Sequence, residues 1–121
     1  MDTVELIDRY CAAWSDPKPE VRAALLEPVW APRATYTDPR AHTTGAGELL
    51  AHIGKVHANR PNSRVVRTTA LDTHHGMVRF GWKAVDAAGA TLLEGIDVAF
   101  LSADATRIDR IVGFFGPLAP I

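Results

Sequence analysis

The sequence predicts an α+β domain: three helices in the first half, packed on a curved antiparallel sheet built mostly from the second half. Three observations carry that prediction. Apolar residues recur at helical spacing in three stretches up to about residue 58. From Arg64 onward, runs of alternating or β-prone residues are separated by short turns. Between the second and third helical stretches lies one isolated strand, Ala34 to Asp38, closed by Pro39.

The 121 residues suffice for one domain, 1-121, with a single core, and the hydrophobic share of 47% can fill it. The net charge is -1 and the two signs are well mixed. No basic stripe suggests nucleic acid and no basic amphipathic helix suggests a membrane surface. The N-terminus lacks the basic start and apolar stretch of a signal peptide, so a cytoplasmic protein is expected. The single Cys11 excludes an intrachain disulfide and reads as a small core residue.

The first helix spans residues 2 to about 15. Asp2 can cap it, with Glu5 three residues on. Leu6, Ile7, Tyr10, Cys11 and Trp14 form one apolar stripe, so Tyr10 and Trp14 are neighbours on the buried face. Asp16-Pro17-Lys18-Pro19 breaks the chain. A second helix starts near Glu20, with Val21, Ala24, Leu25 and Val29 at helical spacing, and Trp30 follows Pro28 at its exit.

In the strand, alternation places Ala34, Tyr36 and Asp38 on one face. Asp38 is thus a strand-end carboxylate beside an aromatic ring. An apolar setting disfavours the charged form and brings a carboxylate base toward neutral pH. Taken alone, Asp38-Pro39 reads more readily as the opening of a turn. Arg40 to Thr44 is expected as a polar loop. The third helix runs from Gly45 to about Ala58, with Leu49, His52, Ile53 and Val56 on its stripe. His52 is either hydrogen-bonded core or part of a pocket. His52 and His57 are five apart and His74 and His75 adjacent, neither a metal-ligand spacing, so no metal site is expected.

Strands are expected over Arg64 to Thr73, Met77 to Val85, Leu92 to Leu101 and Thr106 to Phe115. Their short turns imply antiparallel neighbours. Val78, Phe80 and Trp82 share a face, as do Leu93, Gly95, Asp97, Ala99 and Leu101, and Ile111, Gly113 and Phe115. If these faces point inward, Asp97 is an acid among apolar side chains and is protonated or strongly hydrogen-bonded. Gly95 and Ala99 beside it would leave room for a ligand. If they point outward, Asp97 is a plain surface acid. On the opposite face, Ile108, Val112 and Phe114 suggest packing against a second copy.

The order of elements resembles the nuclear transport factor two-like superfamily, which includes the SnoaL-like polyketide cyclases and the ketosteroid isomerases. The resemblance covers essentially the whole chain and implies a cystatin-like cone with a central pocket. Asp8-Arg9-Tyr10-Cys11-Ala12-Ala13-Trp14 is similar to the segment carrying the isomerase's oxyanion-hole tyrosine. Thr35-Tyr36-Thr37-Asp38-Pro39 is similar to the segment of its catalytic base. Gly95-Ile96-Asp97-Val98-Ala99-Phe100 is similar to the strand carrying its protonated aspartic acid.

Carried onto these positions, the resemblance implies three catalytic residues. Asp38 would take a proton alpha to a carbonyl, while Tyr10 and a neutral Asp97 would donate to the enolate oxygen, the pairing known from ketosteroid isomerase. Trp14, Trp30, Tyr36, His52, Trp82 and Phe115 are the expected cavity walls. The reading is a cofactor-free isomerase acting on a hydrophobic ketone, and the expected partners are a small hydrophobic ligand and a homodimer mate. The alternatives are a polyketide cyclase or dehydratase-type lyase, and a ligand-binding or interaction domain without catalysis. Three departures bear on the substrate. Ile53 stands where some isomerases have a supporting tyrosine, the loop after Pro39 is short, and Trp14, Trp30 and Trp82 would narrow the cavity.

Overall fold

The computed structural model describes residues 1–121. Helix α1 spans Thr3–Ser15 and starts where Asp2 accepts the backbone N–H of Glu5 at 2.8 Å. Its buried face carries Leu6, Ile7, Tyr10, Cys11, Ala13 and Trp14. Full burial of side chains such as Leu6 and Ile7 contributes on the order of 2 kcal/mol each. At its other end Ser15 Oγ accepts the N–H of Val65 at 3.0 Å, which ties the helix to the sheet.

Helix α2 spans Pro19–Leu26, and proline at its start fits the first turn. Its buried face is Arg22 and Leu26; of the expected Val21, Ala24, Leu25 and Val29, Val29 just past the helix is fully buried and Leu25 packs half-buried against the core, whereas Ala24 is exposed. Arg22 is buried because its guanidinium donates to the Asp16 carbonyl at 3.1 Å, so the aliphatic stem packs while the head stays bonded.

Strand β1 runs from Trp30–Asp38, longer than expected, with a register shift between Trp30 and Thr35 around the exposed Pro32. The stretch expected as a loop is instead a strand, β2, Ala41–Thr44, closing a hairpin on β1 with Asp38 opposite Ala41. Alternation in His42-Thr43-Thr44 is too short to announce a strand, and the hairpin shows only once β1 is in place. Helix α3 follows, Gly45–Asn59. His57 donates from Nε2 to the Trp14 carbonyl at 2.7 Å and pins α3 to the end of α1.

The remaining strands are β3, Arg64–Arg67; β4, Asp72–His74; β5, Met77–Val85; β6, Thr91–Leu101; and β7, Ile108–Phe115. The expected single run from Arg64 to Thr73 is split. Residues 68–71 leave the ladder where the Thr69 hydroxyl takes the N–H of Gly81 at 2.9 Å. The sheet order is β2-β1-β7-β6-β5-β3, with β4 also on β5. Strands β5, β6 and β7 form an antiparallel meander, whereas β1 pairs with β7 in parallel. The helices cover one face of this curved sheet, as expected for an α+β cone.

The inward face carries Val78, Phe80, Trp82, Asp97, Ala99 and Ile111. Ile108, expected on the outer face, is fully buried. A register shift between Phe100 and Leu101 breaks strict alternation near the start of β7, so Ile108 and Ile111 both turn inward. No helix is long and apolar enough to cross a membrane.

Candidate active site

Two acids meet across one glycine. Asp97 on β6 registers with Gly113 on β7, and β1 runs beside β7 with Tyr36 opposite Ile111 and Thr37 opposite Val112. A Cβ on Gly113 would lie 2.6 Å from Asp97 Oδ1 and 3.7 Å from Asp38 Cβ. The space a side chain would fill on β7 therefore lets two carboxylates from flanking strands face one cavity.

That cavity measures about 390 Å³, within the range of small-molecule sites. Tyr10, Trp14, Tyr36, Asp38, His52, Trp82, Asp97 and Phe115 all line it. Trp30, expected as a wall, does not: it stacks flat behind Tyr10, ring centres 5.7 Å apart and planes 12° apart. Trp14, Trp82 and Phe115 bound the space without filling it. Gly95 leaves no room for a ligand, because a Cβ there would strike the Trp82 ring and the Phe114 carbonyl. Its absence seats the Trp82 indole instead.

Asp97 is 6% exposed. The Trp82 indole donates from Nε1 to its Oδ1 at 2.8 Å, while Oδ2 has no protein partner. Burial disfavours the carboxylate, the Trp82 bond partly offsets that, and the charge of Asp38 adds to the rise, leaving Asp97 pushed up to about 7. Below about pH 7 it is therefore mostly protonated, a hydrogen-bond donor as well as an acceptor.

Asp38 is half-buried at the end of β1. Its Oδ1 accepts the backbone N–H of Arg40 at 2.7 Å, and its Oδ2 accepts the Tyr36 hydroxyl at 2.5 Å. Asp38 opens a turn and lines the cavity at once, so the plain and the functional readings of this residue coexist. The bare apolar setting expected for it is replaced by a pair of donors that hold the carboxyl in one orientation. Burial raises Tyr36 far above the usual tyrosine range, and its bond to Asp38 raises it further, so it remains a neutral donor.

Tyr10 is buried, and its hydroxyl has no protein partner within hydrogen-bond geometry. Burial raises its pKa well above 10, and the nearby Asp97 charge adds to that. The Trp14 indole N–H pulls the other way but falls short of a hydrogen bond, and that N–H is itself unpartnered. The phenol is thus a neutral donor bordering the cavity. His52 lies against Trp14 and Tyr36, ring centres 5.8 and 6.2 Å away. Cys11 is buried, its thiol pushed up to about 12 by desolvation, which leaves it unreactive.

Two features of the site have no local signature in the sequence. Trp82 was expected as a wall, yet it also orients Asp97. Only the shared inward face of β5 and β6 hinted at that. The cavity mouth is lined by Arg40, Arg60 and Arg64, all exposed, which no local pattern singled out. Arg40 lies over the Phe115 ring at 5.3 Å.

No family model and no curated protein matches the sequence. Solved structures do match. A candidate isomerase of the SnoaL-like family from Agrobacterium tumefaciens is 30% identical, with a TM-score of 0.86 over 94% of this chain and 97% of that one. A protein with a ketosteroid isomerase-like fold from Catenulispora acidiphila, in complex with trimethylamine, is 16% identical, with a TM-score of 0.74 over 95% and 88%. A candidate polyketide cyclase from Sinorhizobium meliloti is 14% identical, with a TM-score of 0.69 over 89% and 92%. The last two share the fold. Taken with the cone and the order of its elements, the first places this chain: it belongs to the SnoaL-like family of the nuclear transport factor two-like superfamily.

Proposed function

We propose that this protein is a cofactor-free acid–base catalyst that moves a proton alpha to a ketone carbonyl. Asp38 removes the proton from carbon, and the electron pair of the broken C–H bond passes into the carbonyl to form an enolate. Tyr10 and neutral Asp97 each donate a hydrogen bond to the oxygen as its charge grows. Where a carbon–carbon double bond adjoins the alpha carbon, the intermediate is a dienolate; Asp38 then returns the proton to its far carbon, the double bond shifts into conjugation and the carbonyl re-forms, completing an isomerisation. The observation that carries this reading is the pair of acids across Gly113, one buried and held protonated near neutral pH, the other accepting from Tyr36. An ionised pair in the same cavity would repel, so one neutral and one charged carboxyl is the arrangement of lower energy.

The candidate isomerase name of the Agrobacterium relative agrees with this reading. A polyketide cyclase would form the same enolate and add it to a second carbonyl, as the name of the Sinorhizobium neighbour suggests. The shared first step is tested directly. Incubated in heavy water with a cyclic ketone, the protein should exchange alpha protons for deuterium faster than buffer, read by proton NMR. Asp38→Asn should lower that rate by about 10² to 10⁴ while the circular dichroism spectrum stays the same. An unchanged rate in the variant removes Asp38 as the base.

We also propose that two copies pair through the outer sheet face. Ile96 and Phe114 are cross-strand partners there, 47% and 63% exposed, next to the half-buried pair Val98 and Val112. Apolar surface of this kind, continuous across strands, is uncommon on an isolated monomer.

A further inference from the structure

Three cations stand at the mouth of the cavity without a carboxylate to neutralise them. Arg40, Arg60 and Arg64 all line it. The two ion pairs of the molecule, Arg67 with Asp8 and Arg79 with Asp72, involve none of them. Two of the three are brought together by one turn. Helix α3 ends at Arg60, the Arg60 carbonyl accepts the N–H of Ser63 at 3.1 Å, Asn62 takes a left-handed φ of 62°, and β3 starts at Arg64. Arg40 lines the same cavity from the β1–β2 hairpin, its guanidinium over Phe115. The carbonyl end of α3 opposes an anion here with about half a charge. The carboxylate of Asp38, which lines the same cavity, adds one full negative charge, and the three positive charges outweigh the two together.

The mouth and the floor of the cavity therefore have opposite demands. Tyr10 and Asp97 at the floor take a carbonyl oxygen. The mouth takes a negative group. Resting on the enolate-forming site described above, we infer that the substrate is an acidic ketone: its reacting carbonyl is held by Tyr10 and Asp97, and a carboxylate at its far end is held by Arg60 and Arg64, with Arg40 beside them. Guanidinium groups bind carboxylates bidentately, and such bonds are stronger than neutral ones. The three charges would also draw an anionic ketone toward the opening, an effect that salt weakens.

The test compares two phenols that mimic an enol, 2-naphthol and 6-hydroxy-2-naphthoate, by fluorescence titration. The carboxylated probe should bind about tenfold or more tightly at low salt, and the advantage should shrink at high salt. In the double variant R60Q/R64Q the affinity ratio should fall toward one. In R60K/R64K, which keeps the charges, it should be partly kept. Tyr10→Phe checks the floor separately by weakening 2-naphthol. Equal affinity for the two probes, with 2-naphthol still sensitive to Tyr10→Phe, overturns the anionic mouth and leaves the enolate site standing. If Tyr10→Phe leaves 2-naphthol binding unchanged, the phenol does not sit at that site, and the inference fails along with the reading it rests on.

Discussion

At the scale of single residues, the proposed chemistry turns on the proton of Asp97. An aspartate in an unfolded chain releases its proton near 3.8, whereas Asp97 in the folded protein holds it to about 7. The native state binds more protons between those values, so stability falls as pH rises. The favourable contribution is complete below about pH 4 and is lost through about pH 7. A displacement of about three pH units, at 1.36 kcal/mol each, corresponds to roughly 4 kcal/mol. Asp97→Asn keeps an acceptor for Trp82 and removes the titration. Between pH 4 and pH 9 the variant should gain up to about that amount relative to the wild type in urea denaturation. Parallel pH profiles would contradict a buried, protonated Asp97. Activity should follow the same group. Exchange catalysed by the wild type should fall on the alkaline side of about pH 7, as Asp97 ceases to donate, and this limb should be absent in Asp97→Asn. The sequence showed both acids and Tyr10, because strand alternation and helical spacing act within a few residues. It did not show Trp82 as the partner of Asp97, since that bond depends on the register between β5 and β6.

At the scale of elements, β7 is the strand that makes the site possible. Its Gly113 leaves the gap into which Asp97 and Asp38 project from either side. Gly113→Ala would bring a methyl to 2.6 Å from Asp97 Oδ1, the oxygen that takes the Trp82 bond. The carboxyl must turn away. The expected result is a large loss of exchange activity at a stability cost of about 1–3 kcal/mol, read by denaturant unfolding. Full activity in this variant would mean that the placement of Asp97 is not critical. Element positions were mostly legible: α1, α3 and β5 fall where periodicity places them. The misreadings share a cause, which is that tertiary partners overrode a local pattern. Arg22 is buried through backbone carbonyls, β2 forms only against β1, and the shift in β7 register turns Ile108 inward.

At the scale of the whole molecule, the α+β cone followed from the order of helices and strands, while the parallel pairing of β1 with β7 did not. That pairing joins residues more than 70 positions apart, beyond any local signal, and it is what brings Asp38 beside the strand facing Asp97. The arginine rim was hidden for the same reason, since Arg40 and Arg64 come to line one cavity only through the closed fold. The outer sheet face makes its own prediction. The wild type should sediment at twice its chain mass of 13.1 kDa, and Phe114→Glu should shift it toward the single chain without loss of helical signal. A wild type that stays single at high concentration would contradict pairing through this face.

The proposed chemistry requires a protonated and a charged acid in one cavity. A carbon-13 NMR titration of the aspartate side-chain carboxyls tests this. One aspartate should titrate near pH 7, and its signal should vanish in Asp97→Asn. If every aspartate titrates below about pH 5, as solvated carboxylates do, Asp97 is charged at neutral pH and cannot serve as the donor.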